Sequence, residues 1–182
     1  MKNTWFIADT HFPHANIIKH TNRPFGDVET HDRVLMENWN RHVARQDDVY
    51  FLGDFAFKYK DRAKEIRRRL HGAQIFFIEG NHDAAARQIR NSFAWFDSVK
   101  MVEVNGQKIW LSHYAHRVWD RAHYGVWHLY GHSHHSLPDD PHAQPRCGRR
   151  RNGCSLGPSR TLRHRRRSHR RTATARLSTR PL

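Results

Sequence analysis

Short apolar runs recur along the first 134 residues of this chain, and five of them stop at the same kind of side chain. Asn3–Asp9 (NTWFIAD) leads into Thr10 and His11, and Asp48–Asp54 (DVYFLGD) closes on Gly53 and Asp54. Residues 74–80 (QIFFIEG) are followed by Asn81, His82 and Asp83. The run KIWLS ends in His113, and VWHLY ends in Gly131, His132, Ser133 and His134. Runs of this length, rich in aromatic and β-branched residues, read as buried strands. The fold must therefore hold five buried strands that each release polar, metal-capable side chains at the carboxyl end.

The segments between them set the class. Asp27 is a candidate N-cap for a helix in which Val28, Leu35, Trp39 and Val43 repeat at helical spacing. Asp61–Leu70 reads as a second helix with Ala63, Ile66 and Leu70 inward and Arg67–Arg69 on a solvated face. Residues 84–90 (AAARQIR) read as a third. Strand alternating with helix predicts a parallel α/β sheet. The pattern then changes to two strand-like runs joined by Asn105-Gly106, a pair suited to a two-residue hairpin turn with positive φ at both positions. No internal repeat is present.

Ligands of open α/β sheets bind beyond the carboxyl ends of the strands. Five strand ends thus converge on one crevice, and Gly53, Gly80 and Gly131 let the chain turn sharply there. The donors are Asp9, His11, Asp54, Asn81, His113, His132 and His134, all oxygen or nitrogen. Two metal ions sharing a carboxylate would use the whole set. Borderline first-row ions (Mn, Fe, Co, Ni or Zn) suit such an imidazole–carboxylate mixture, whereas Mg or Ca alone do not.

In this order and at these strand ends, DTH, GD, GNHD, a lone His and GHSH resemble the calcineurin-like metallophosphoesterases. The small single-domain bacterial and phage-type members share stretches like NRPF, ENWN and HLYGHSH. The resemblance covers roughly residues 1–140. It implies an α/β fold, a two-sheet β-sandwich flanked by helices, and two divalent ions in the site. It also implies that Asp9, His11 and His134 hold the first ion, that Asn81, His113 and His132 hold the second, and that Asp54 bridges them. His82 would then be a general acid that Asp83 orients. Chemistry agrees with these roles. A carboxylate offers two anionic oxygens to two metals, and an imidazole titrates near neutrality, which suits protonation of a leaving alkoxide. The implied reaction is phosphomonoester or phosphodiester hydrolysis by in-line attack of hydroxide on phosphorus.

Plainer roles compete. Asp83, followed by Ala84-Ala85-Ala86, suits a simple N-cap, and Asp9 and Asp54 suit turn formers. His116 competes with His113, which is preferred because it directly ends an apolar run. Ala115 stands where many members of the resembled family carry Pro. His135 is read as an exposed loop residue; His14, His20, His31, His42, His71, His123 and His128 are read as surface or packing residues. Arg23 suits bidentate contact with a phosphate, but a salt bridge or surface role is preferred.

Charge divides the chain. Residues 1–140 hold 19 Lys and Arg against all 17 Asp and Glu, a net of +2. Residues 141–182 hold 13 Arg, no Lys and no acid. That Arg-rich tail has no aromatic residue and little apolar periodicity, so disorder is expected. Its composition also suits out-of-frame translation of a GC-rich gene, and the coding DNA tests this: a shifted frame should yield an acidic, strand-like continuation. A basic arm binding nucleic acid is the alternative function, and a metal-holding scaffold with impaired turnover is another. The near-neutral front domain has no long basic track for a duplex, so a small phosphoester is the expected substrate rather than a nuclease target. Cys147 and Cys154 match neither zinc nor redox spacing, and the front domain has no cysteine. No apolar run approaches the ~18 residues needed to cross a membrane. With no signal-peptide pattern at the N-terminus, a cytoplasmic location is expected.

Overall fold

The computed structural model describes residues 2–134, 136 and 137. The expectations for the Arg-rich tail and for His135 lie outside the described residues. The first sheet takes β1 (Thr4–Ile7), β2 (Asp48–Phe51), β3 (Gln74–Ile78) and β4 (Trp95–Asp97), all parallel and in that order. The second takes β5 (Val99–Val104), β6 (Gln107–Ser112) and β7 (Trp127–Leu129), with β5 antiparallel and β7 parallel to β6. Helices α1 (Ala15–His20), α2 (Val28–His42), α3 (Lys60–Arg69) and α4 (Ala84–Gln88) complete a mixed α/β architecture. The short strand β4 and helix α1 carry no periodic pattern that predicts them.

Period-2 alternation sorts the side chains of the first sheet. Trp5, Ile7, Val49, Phe51, Ile75 and Phe77 face the helices and pack with Leu35, Met36 and Trp39 of α2, and with Ala63 and Ile66 of α3. Phe6, Tyr50 and Trp95 face the other way, toward Ile109 and Leu111 of β6 and Leu129 of β7. An apolar layer thus lies between the sheets and a second beneath the helices. Each large side chain so buried stabilises the fold by about 1.5–3 kcal/mol.

Local chemistry sets the element ends. The Asp27 carboxylate accepts from the Thr30 N–H at 2.7 Å and from its hydroxyl at 2.8 Å, capping α2 as predicted. Asn105 and Gly106 have φ of 52° and 79°, so the β5–β6 hairpin turns as the Asn-Gly pair requires. Fully buried Asp47 accepts from Asn3 N, Trp5 Nε1 and Ala44 N, tying the start of β1 to the α2–β2 turn. Arg68 and Arg69 are exposed, as expected for a solvated face, whereas Arg67 is half-buried, donates to the Ser92 carbonyl and lies over Phe93.

Candidate metal centre

The donors stand where the interlayer side chains run out. Along β2 and its extension, Tyr50 and Leu52 face the second sheet, and Asp54 continues that parity. Ile109 and Leu111 of β6 lead to His113 in the same way. Backbone hydrogen bonds then lock the loops together. Asp9 N donates to Gly53 O and His11 N to Asp54 O, both at 2.9 Å, and Gly131 N donates to His113 O at 3.0 Å.

All seven predicted donors come together. His11 Nε2 and His134 Nε2 are 3.2 Å apart. Asp54 Oδ2 lies 3.5 Å from His11 Nε2 and 3.4 Å from His113 Nε2, between the two halves. His113 Nε2 is 3.1 Å from Asn81 Oδ1, while its Nδ1 donates to the Leu52 carbonyl at 2.8 Å. That outward bond leaves Nε2 facing the site. Asp9, His11 and His134 form one group whose ligand atoms lie within 4.8 Å of one another, and Asp54, His113 and His132 form another. With metal–ligand bonds of about 2.0–2.2 Å, two ligands of one ion stand roughly 3.0–3.5 Å apart. The four separations of 3.1–3.5 Å among His11, His134, Asp54, His113 and Asn81 fit that requirement.

The backbone is strained at the same points. Asp9, His11, Asp54, His132 and His134 all adopt positive φ, between 43° and 64°. Asp and His tolerate this left-handed region better than most residues, yet each such position still costs energy, and such strain clusters at functional sites. Crowding accounts for all three glycines, and Gly53 also has a positive φ of 89°. A Cβ on Gly80 would lie 2.6 Å from the backbone N of Asp54, and one on Gly131 would lie 2.8 Å from Asp9 Oδ2.

Burial and charge set the protonation of this cluster. Burial lifts Asp9 to about 7, against the pull of His113. Burial also lowers His11 to about 2 and His134 to about 4, so both imidazoles are neutral and able to bind a metal. Asp54 goes the other way. Burial would raise it, but the His113 hydrogen bond and charge and the His82 backbone N–H hold it at about 2. The same pairing raises His113 against the effect of its burial.

His82 lies half-exposed at the rim, with ring-centroid distances of 5.5 Å to His11 and to Phe57. The support expected from Asp83 is corrected by the structure. Asp83 is buried and gives both carboxylate oxygens to backbone N–H groups: Gly80 and Asp54 at 2.7 Å, and Phe55 at 2.8 Å. It therefore ties the Asp54 loop to the Asn81 loop and does not touch the His82 ring. As N-cap of α4 it makes no side-chain capping bond either. His116 stands apart from the donors and accepts from Trp110 Nε1 at 3.0 Å.

Three further residues stand at or behind the site: His14, expected as a surface or packing residue, Tyr114, which the sequence does not single out, and Arg23, for which a salt bridge or surface role is preferred from the sequence. His14 stacks on Phe57 at 4.0 Å and lies 5.7 Å from His82, with Nδ1 buried and unpartnered. Tyr114 stands exposed at the mouth, 4.6 Å from the His132 ring. Arg23 is not on the surface: it is buried and donates to the carbonyls of Asp9 and Thr10. His14 follows Pro13, three residues after His11, and that proximity was the one signal available for it.

The chain is thus a mixed α/β protein with histidines and carboxylates gathered at the strand ends. It belongs to the family of the uncharacterized protein MJ1445 of Methanocaldococcus jannaschii, with 38% identity over 149 residues, spanning 80% of this chain and 78% of that protein. The gene 66 protein of Mycobacterium phage L5 is 39% identical over 56 residues, which is 31% of this chain and 27% of the phage protein. A protein of unknown function from Aquifex aeolicus, AQ665, has a similar crystal structure, with a TM-score of 0.60 and 25% identity over 72% of this chain and 79% of that one. No protein-family model matches the chain. No helix among the described residues is long and apolar enough to cross a membrane.

Proposed function

We propose that the chain is a calcineurin-like metallophosphoesterase that hydrolyses a small phosphoester at a dinuclear metal site. The observation that carries this reading is the position of Asp54 Oδ2, within 3.5 Å of both His11 Nε2 and His113 Nε2 at the junction of two donor groups. Asp9, His11 and His134 would hold one ion, Asn81, His113 and His132 the other, and Asp54 both. Such a pair of ions supplies a clamp for the phosphoryl oxygens and a nucleophile available at neutral pH. The set contains no sulfur, which favours Mn, Fe, Co, Ni or Zn.

The chain's own groups have distinct tasks in this reading. Asp54 enters the site as an anion that would hold the ions, and its Oδ1 is fixed by the His82 backbone N–H at 2.8 Å. Leu52 O accepts from His113 Nδ1 and so fixes the tautomer that presents Nε2. His82, at the rim and outside the donor set, protonates the leaving oxygen. Asp83 takes no part in the proton's path and keeps two ligand loops in register.

The test is hydrolysis of p-nitrophenyl phosphate and bis-p-nitrophenyl phosphate with added Mn. Activity should vanish with a chelator and fall at least ~100-fold in Asp54→Asn. Turnover that survives both treatments rules the reading out.

A further inference from the structure

We infer that Arg23, His31 and Asp32 form a buried relay that shapes the backbone of the first ligand loop and so positions Asp9 and His11; this rests on the metal-site reading above. All three side chains are almost wholly inaccessible, at 4%, 0% and 1% exposure. Arg23 spreads its guanidinium over four acceptors: Asp9 O at 2.7 Å, Thr10 O at 3.0 Å, His31 Nε2 at 2.6 Å and Thr21 Oγ1 at 3.2 Å. A guanidinium can only donate, so His31 Nε2 accepts and the ring proton sits on Nδ1. That proton goes to Asp32 Oδ1 at 3.0 Å, and Asp32 Oδ2 faces Arg62 at 3.7 Å. Phe12 and Phe25 pack on the His31 ring, with centroids 6.4 and 5.2 Å away, and hold its plane.

The loop needs such a partner. Asp9 and His11 have φ of 58° and 55°, a conformation that L residues resist. It turns the Asp9 and Thr10 carbonyls inward, where an unpaired acceptor would be costly. A planar fork satisfies both carbonyls and His31 together, which a lysine ammonium on its flexible stem does less well. These residues are therefore positioning residues. Their hydrogen bonds reach the first metal group directly, whereas the Asp54 carboxylate accepts from the His82 backbone N–H and the His113 ring donates to Leu52 O.

The experiment counts Mn retained by the full chain after gel filtration. Wild type should retain two ions per chain and His31→Leu one. Adding Asn81→Ala to His31→Leu should remove the remaining ion, whereas adding His134→Ala should leave it. His31→Gln, whose amide oxygen can accept in place of Nε2, should restore two ions. Arg23→Lys should weaken one site 10–100-fold, with the other within twofold of wild type. Retention of both ions at wild-type affinity in His31→Leu overturns the relay, as does joint loss of both. His31→Gln behaving like His31→Leu also overturns it. If His31→Leu does not fold, Arg23→Lys decides alone: weakening confined to one site supports the relay, and no weakening or weakening of both sites refutes it. A wild-type chain that retains no ion refutes the metal centre itself, and the relay with it; that outcome is distinct from two ions bound and unmoved by the variants.

Discussion

Asp83 shows how one buried carboxylate can serve a site it does not enter. Its two oxygens satisfy three backbone N–H groups, on Gly80, Asp54 and Phe55. Removing it orphans all three in a dry interior, at about 1–3 kcal/mol for each unsatisfied group. Asp83→Ala should therefore destabilise the metal-free chain by about 3–5 kcal/mol in urea denaturation. It should also weaken Mn binding, because Asp54 and Asn81 lose their common tether. His82→Ala should behave oppositely. Its ring lies at the rim against His11, His14 and Phe57, so stability should fall by no more than about 1 kcal/mol while turnover falls about 10²–10⁴-fold, as read by steady-state kinetics beside a urea titration.

Among the loops that follow the strands, space is the governing quantity. Gly80 needs no unusual φ, yet an added Cβ would fall inside van der Waals contact of the Asp54 backbone and 2.9 Å from His113 Cε1. Gly80→Ala must push the β2 and β3 loops apart, and overpacking of this kind costs about 1–3 kcal/mol. The expected result is a folded chain with a lowered thermal midpoint and loss of at least one ion by metal analysis. Retention of two ions at wild-type affinity would contradict the close packing. In β7 the sensitive group is His128, buried beside His116, with Nε2 2.7 Å from Ser112 Oγ. Burial, then the His116 charge, lowers it from 6.5 to about 4. Between those values the unfolded chain takes up a proton that the folded chain refuses, so stability falls as pH drops from 6.5 toward 4. His128 alone accounts for about 3 kcal/mol of that loss. His128→Phe should make the pH dependence of the denaturation midpoint shallower in this window, leaving the part due to His11 and His134.

For the molecule as a whole, the proposed metal site would couple ion binding to folding. Ion binding needs an ionised Asp9, which in the metal-free chain holds its proton up to about 7. Mn affinity should therefore drop as pH falls below about 7, with proton release detectable by calorimetry in buffers of different ionisation enthalpy. An ion at 100 times its Kd adds about 2.7 kcal/mol to folding, so Mn should raise the thermal midpoint by several degrees and a chelator should reverse it. Much of this was open to reading from local order. Short apolar runs mark β1, β2, β3 and β6, Asp27 marks the start of α2, and Asn105-Gly106 marks the hairpin, because each depends on neighbours a few positions away. The donor clusters were legible for the same reason: each interrupts an apolar run at its carboxyl end. What the chain order could not reveal was who partners whom across distance. Asp83 reaches back 28 and 29 residues to Phe55 and Asp54, and Arg23 finds carbonyls 13 and 14 residues away. Three-residue β4 gains its identity only by pairing with β3. Side-chain type and period are properties of a short window of sequence, so they determined the strands and the chemistry of their ends. Hydrogen bonds between distant loops depend on how the sheets and helices close on one another, so only the tertiary structure decided which buried groups hold the site together.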